Sequence, residues 1–328
     1  MHQNFNDAQA LAFVTGQAFK VNTRVYETRY PDWDFGRLIY VDSSGPEWAP
    51  GVLTYTSDMS GRANWQSGYA KDVPMADVSQ DYQTKTFHLA AIGYQWNIEE
   101  INTTMGFPGA NLPDRRARAA RLAYMKFMYD LTLKGSGEKG LGGLINYTGV
   151  TTGVVPADGT GSATFWVNSA GVGIKTPAQI VRDINIALQG ISLATFETEL
   201  ADTILLPVEA YNYIAATPYS ATTMETILSF VQRTNIYTQT TGRPITIRTV
   251  RELGNAGVGD AAGTGRLVAY KNDADYVKLH LPMPHRFLPV YQDGPLNYAV
   301  PGIFRTGGVE LLTTVAMRYL DGISQPPA

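Results

Sequence analysis

The chain has 328 residues, 44% of them hydrophobic, and carries 26 Lys and Arg against 29 Asp and Glu, a net charge of -3. Such a chain can bury a core, which excludes wholesale disorder, and it lacks the strongly basic footprint of a sequence-reading nucleic-acid binder. With no cysteine, disulfide frameworks and thiolate metal sites are excluded, and a charged fraction of 17%, against roughly 25% in an ordinary soluble domain, leaves surface for partners to cover.

In chain order, residues 1–44 read as an extended arm, with a short helix over Ala8–Phe19 and weak alternation over Val21–Tyr30. Met1–Lys20 has no basic stretch followed by an apolar one, so no signal peptide is expected, and no apolar run approaches the ~20 residues a membrane helix needs. Residues 45–84 are punctuated by Gly45, Pro46, Pro50, Gly51, Gly61, Gly68 and Pro74, so no helical period survives. Yet they carry Trp48, Tyr55, Trp65 and Tyr69. Those aromatics either fold onto the core of their own chain or sit on an arm that packs on a neighbouring subunit. The second reading is favoured, because exposed apolar patches mark interfaces.

Thr86–Ile98 reads as one strand whose parity switches at a bulge near Ala90–Ala91. Pro113–Lys134 is the clearest helix, with Asn111 as cap, Pro113 in the first turn and Gly135 as terminator. Its stripe is Ala117, Ala120, Tyr124, Phe127 and Leu131, and its length would be about 33 Å. Thr148–Lys175 reads as β with turns. Thr176-Pro177 opens a second helix with Ile180, Ile184, Ala187, Leu188 and Ile191 on one face. Thr203–Leu206 is a buried strand, Pro207 opens a helix, and Met224, Ile227, Leu228 and Val231 mark another. Strands are predicted over Ile245–Val250, Arg266–Tyr270, Val277–Leu281 and Val309–Tyr319. Helices and strands do not alternate regularly, which is an α+β pattern.

Tests for chemistry find no catalytic, cofactor-binding or metal set. Gly135-Ser136-Gly137-Glu138-Lys139-Gly140 spells a dinucleotide fingerprint, but it follows a helix where the fingerprint needs a strand. His280 and His285 are separated by two prolines and have no acidic cluster nearby. Arg115, Arg116, Arg118 and Arg121 crowd the first turns of the long helix, where positive charge opposes the helix dipole. A solvated basic face, carboxylates on another subunit and an enclosed polyanion are all open readings.

The order of elements, with Gly140-Leu141-Gly142-Gly143-Leu144-Ile145-Asn146 after the long helix, Thr203-Ile204-Leu205-Leu206-Pro207-Val208-Glu209-Ala210-Tyr211 in the middle and Gly307-Gly308-Val309-Glu310-Leu311 near the end, resembles the tailed-bacteriophage major capsid proteins of the Hong Kong 97 type. The resemblance implies an N-terminal arm (1–44), an extended β loop (45–96), a peripheral domain (97–171) built on a spine helix (113–134), an axial domain (172–275) and a return to the peripheral domain (276–328). It implies no enzyme and no cofactor. It implies a subunit that assembles with itself, as pentamers and hexamers, into an icosahedral head around double-stranded DNA bound without sequence specificity. Portal, scaffolding and decoration proteins are the implied further partners, the virion is the implied location, and assembly would take place in the host cytoplasm without a membrane. The candidate inter-subunit contacts are then Trp48, Tyr55, Trp65, Tyr69, Arg115, Arg116, Arg118 and Arg121. Related self-cross-linking shells use a lysine in the loop. Lys71 and Lys85 lie there, but neither the acceptor nor the catalytic carboxylate is identifiable, so no cross-link is expected. The alternatives are an encapsulin-type compartment shell, which shares the fold, and an α/β enzyme, which lacks its catalytic set.

Overall fold

The computed structural model describes residues 30–69, 71–104, 112–220 and 222–325. The helix expected over Ala8–Phe19, the alternation up to Arg29 and the cap at Asn111 lie outside these residues. From Tyr30 the chain passes a 3-10 turn at Phe35–Arg37 into β1, Tyr40–Asp42. Two strands of ten residues follow, β2 (Gly51–Ser60) and β3 (Asp77–Thr86), antiparallel from Gly51 opposite Thr86 to Ser60 opposite Asp77. The single strand expected over Thr86–Ile98 is instead two, β4 (His88–Ala91) and β5 (Tyr94–Asn97), in different sheets, and α1 (Ile98–Thr104) begins at once. The break falls at Gly93, where a Cβ would lie 2.4 Å from the Val300 carbonyl oxygen, so only glycine lets the two backbones approach.

The long helix, α2, spans Leu112–Lys134 and ends on Gly135, which adopts φ 70°. Its buried flank is Ala120, Tyr124, Met128 and Leu131. Phe127, expected in that stripe, is half-exposed, because Phe304 fills the space beside it with its ring edge-on to both Tyr124 and Phe127. The region expected to be rich in β structure holds one regular strand, β6 (Thr151–Val154). Helix α3 (Pro177–Ala194) opens with a complete capping box, in which the Thr176 hydroxyl and the Gln179 side chain satisfy each other's backbone N–H groups, and the five apolar positions read from the sequence are all buried.

Next come β7 (Thr203–Leu206), α4 (Val208–Ala216), the hairpin β8 (Pro218–Ser220) and β9 (Thr223–Thr226), and then α5 (Ile227–Thr234) and α6 (Ile236–Thr241). Met224, expected on a helix, stands in β9 and is fully exposed, because the helix starts only after Thr226, whose hydroxyl accepts the Ser229 N–H at 3.3 Å. The remaining strands are β10 (Thr246–Thr249), β11 (Arg266–Tyr270), β12 (Val277–His280), β13 (Met283–Phe287), β14 (Tyr291–Gln292), β15 (Asn297–Val300), β16 (Gly302–Thr306), β17 (Gly308–Leu311) and β18 (Met317–Asp321). A 3-10 turn at Thr314–Ala316 divides the final β segment expected as one.

A five-stranded sheet in the order β10-β7-β11-β18-β6 occupies the centre. Its alternate residues feed two separate cores. Leu205, Val268, Tyr270, Met317 and Tyr319 join Tyr124, Met128 and Leu131 of α2. Ile204, Leu206, Leu267, Ala269 and Leu320 join Ile180, Ile184, Leu188 and Ile191 of α3. The central sheet therefore draws strands from both sides of the boundaries expected at 171/172 and 275/276, since β18 pairs with β11 on one edge and with β6 on the other. Two ion pairs are closed into this architecture. Arg266 grips Asp321 with Nε–Oδ1 at 2.6 Å and Nη2–Oδ2 at 2.8 Å, and its Nη1 donates to the Ile145 carbonyl at 2.6 Å. Lys175 reaches Asp183 at 2.7 Å, and the Trp166 indole N–H donates to the same carboxylate oxygen at 3.0 Å. On the α2 side, smaller sheets β1-β12-β17, β13-β16-β4 and β14-β15-β5 carry the root of the β2–β3 ribbon and flank the helix.

Candidate inter-subunit surface

The β2–β3 ribbon is a two-stranded sheet about 34 Å long, and among the described residues no third strand pairs with either edge. Residues directly opposite each other share a face, and successive rungs alternate. The register therefore sorts the side chains into two sets. Leu53, Tyr55, Met59, Val78 and Tyr82 lie on one face. Thr54, Thr56, Asp58, Asp77, Asp81 and Lys85 lie on the other. Trp65 and Tyr69 lie in the segment joining the strands, at 104% and 96% exposure. An isolated two-stranded ribbon is marginal in water, and this one places a row of large apolar side chains in solvent.

The root of the ribbon is held by a polar knot. Glu310 in β17 is wholly buried, accepts or shares a proton with His280 Nε2 at 2.7 Å and accepts the Thr54 hydroxyl at 3.4 Å. Lys278 Nζ stands 3.6 Å from it. Burial raises the Glu310 carboxyl, but the His280 hydrogen bond and the charges of His280, Lys278 and Lys85 outweigh it and hold the group below its ordinary value. Asp42 in β1 faces the other side of His280 at 3.7 Å. The knot thus joins the ribbon to all three strands of one sheet, β1, β12 and β17.

The sequence-derived candidates do not all land on one surface. Trp48 sits at the root, under the Arg305 guanidinium at 5.7 Å, so it packs against its own chain while remaining largely exposed. Tyr55 stands mid-ribbon opposite Tyr82. On α2, Arg116 is already committed: it binds Glu100 through Nη1 at 2.9 Å and Nη2 at 3.1 Å, and donates to the Gln95 carbonyl at 2.5 Å. That fork holds the Glu100 carboxyl below the usual range. Arg116 is therefore an internal tie between α2, α1 and β5, not part of an open basic row. Arg115, Arg118 and Arg121 are exposed. Arg121 stacks over the Phe287 ring at 5.8 Å.

The histidines separate. His280 belongs to the knot, whereas His285 lies among Tyr124, Phe287 and Phe304 with ring centroids 5.0, 4.7 and 6.1 Å away. Among the described residues no group of three potential metal ligands occurs, and no helix is long and apolar enough to cross a membrane. Several exposed apolar residues escaped the sequence reading: Met59, Val78 and Tyr82 on the ribbon, Met224 on the β8–β9 hairpin, Leu193 in the last turn of α3 and Phe196 just after it. Phe196 and Glu197 adopt φ 52° and 62°, a left-handed pair that lifts the phenyl ring into solvent. Only the ribbon residues had a usable signal, the parity of β2 and β3.

A family model described as major capsid protein matches residues 61–323. No curated protein matches the sequence. Solved structures similar in fold include the capsid of Myoviridae phage XM1, with TM-score 0.76 and 18% identity, covering 98% of this chain and all (100%) of that one. Microbacterium phage Oxtober96 gives TM-score 0.58 at 12% identity over 98% of this chain and 99% of that one. The capsid of the native GTA particle gives TM-score 0.58 at 11% identity over 96% and 98%. At such identities these structures speak to fold, while the family match spans most of the chain.

Proposed function

Because the chain belongs to the major capsid protein family and has the Hong Kong 97-type fold, we propose that it closes an icosahedral head from pentamers and hexamers of itself around double-stranded DNA. Its role is structural, as a subunit of a virion shell. In this reading residues 1–44 form the arm, 45–96 the loop laid across a neighbour, α2 the spine of the peripheral part, and 172–275 the part that meets its copies around the fivefold and sixfold axes. Trp65, Tyr69 and Tyr55 are then covered by a neighbouring copy, with Trp48 at the base of the same contact. A portal and a scaffold complete the head in the host cytoplasm. A net charge of -3 supports a wall that does not grip its contents.

The observation that carries this reading is the ribbon, two ten-residue strands with almost every side chain in solvent. Burial of those side chains must come from outside the subunit. Deleting Gly61–Met75 tests it. The deleted protein is expected to stay folded by circular dichroism and to form no particles by negative-stain microscopy. Normal particles would overturn the assignment.

A further inference from the structure

We propose that the turn after α3 is a knob, Phe196 with Glu197, that enters a cleft beside β10 in the next copy of a ring, where Glu197 meets Arg248. The proposal rests on the reading that copies close into pentamers and hexamers, and it names the residues of one ring contact.

The knob is a fixed turn. Phe196 and Glu197 hold left-handed backbone in succession, which glycine adopts freely and other residues keep only when their surroundings enforce it. Here the surroundings enforce it. The Phe196 N–H donates to the Leu193 carbonyl at 3.3 Å, and the Glu197 N–H to the Ser192 carbonyl at 2.7 Å. The Thr195 hydroxyl donates to the Ile191 carbonyl at 2.9 Å and accepts the Glu199 N–H at 3.2 Å. Glu199 is tied in turn to Lys271 and to the Tyr276 hydroxyl. The turn thus presents Phe196 at 91% exposure, with Leu193 at 72% three residues earlier. The Glu197 carboxylate beside them is exposed and makes no hydrogen bond or ion pair among the described residues.

The cleft has the complementary chemistry. Its volume is about 330 Å³, and its lining includes Leu38, Tyr129, Tyr211, Ile247, Arg248 and Asp32. Arg248 Nε is buried there without a hydrogen-bond partner. Among the described residues Arg248 makes no ion pair, and Asp32 lines the same cleft without reaching it. A buried donor without an acceptor is costly, and an arriving carboxylate removes that cost through a charge-assisted hydrogen bond. Leu38, Ile247 and the two tyrosines supply apolar and aromatic walls for a phenyl ring.

Knob and cleft lie on opposite faces of the central sheet. Arg248 stands in register with Leu205, whose side chain belongs to the core on the α2 side. The knob leaves α3, which packs on the other face. A projection on one side and its hole on the other make a heterologous contact, which closes into a ring when the rotation allows.

Four full-length variants test the contact. Phe196→Gly removes the ring and relaxes the left-handed backbone, so it is expected to melt no lower than wild type while particle yield on a density gradient falls at least tenfold. Glu197→Arg is expected to lose a similar factor, and Glu197→Arg with Arg248→Glu to recover at least half of the wild-type yield. The fourth uses the absence of native cysteine. A Phe196→Cys, Thr249→Cys chain under mild oxidation should give a ladder of disulfide-linked multimers, where each single variant gives at most dimers. Normal particle yield from Phe196→Gly or Glu197→Arg, or a charge swap that stays defective, overturns the pairing. Loss of particles in Phe196→Gly without a ladder assigns the knob to another surface and overturns the cleft. In each case the ring reading stands as long as wild-type particles form; wild-type chains that form no closed particles bring down the ring reading itself.

Discussion

Two β structures in this molecule were built to opposite specifications. The central sheet is covered on both faces, and its strands β7 and β11 expose nothing. The β2–β3 ribbon has the longer strands and almost no covered side chain. The sheet belongs to the subunit, because alternate residues lock two cores together through one set of strands. In the proposed shell the ribbon belongs to the assembly, because in the subunit backbone pairing alone holds its shape. Side chains of the same kind, Leu, Tyr, Met and Val, stabilise the subunit in one place and are neutral to it in the other.

Substitutions can break that contrast. The largest effect is expected at Asp321→Ala, which strands Arg266 as a buried, uncompensated cation in the central sheet; the loss should be about 3–5 kcal/mol by chemical denaturation of the isolated subunit. Next is Glu310→Gln at the ribbon root, with a loss of about 1–3 kcal/mol near neutral pH. Because the folded carboxyl lies below its ordinary value of 4.5, Glu310 stabilises the native state above that value and loses this contribution as pH falls through the lower folded one. The Gln variant should therefore show a flatter acid limb than the wild type, and an unchanged limb would remove Glu310 from the account. Thr176→Ala, which opens the capping box of α3, should cost about 1 kcal/mol. The smallest effect on the subunit is expected from Tyr55→Ser with Met59→Ser, within about 0.5 kcal/mol, although particle yield should fall. A large loss of subunit stability there would show that the ribbon is packed on its own chain after all.

The elements most legible in the sequence were those whose signal is local. Pro113 and Gly135 bracket α2, Thr176-Pro177 starts α3, and Thr203–Leu206 and Arg266–Tyr270 read directly as buried strands. What escaped depends on distant neighbours. The break at Gly93 is imposed by Val300, about two hundred positions later, and the rotation of the α2 stripe by Phe304. Arg116 looked like one of four open arginines, but Glu100 and the Gln95 carbonyl had already claimed it. The candidate surface was legible as aromatic content on a glycine-rich stretch. Its two faces were only half legible: parity groups Leu53, Tyr55 and Met59 within β2, but which residues of β3 join them is fixed only once Gly51 is known to stand opposite Thr86.

The position of β18 carries a consequence for timing. It lies between β11 and β6, so the central sheet keeps a gap until Asp321 has emerged from the ribosome. A chain without β18 lacks the surface on which both cores close. In the proposed shell, the partner that a neighbour needs is finished only when that strand has joined the sheet, a delay written into strand order.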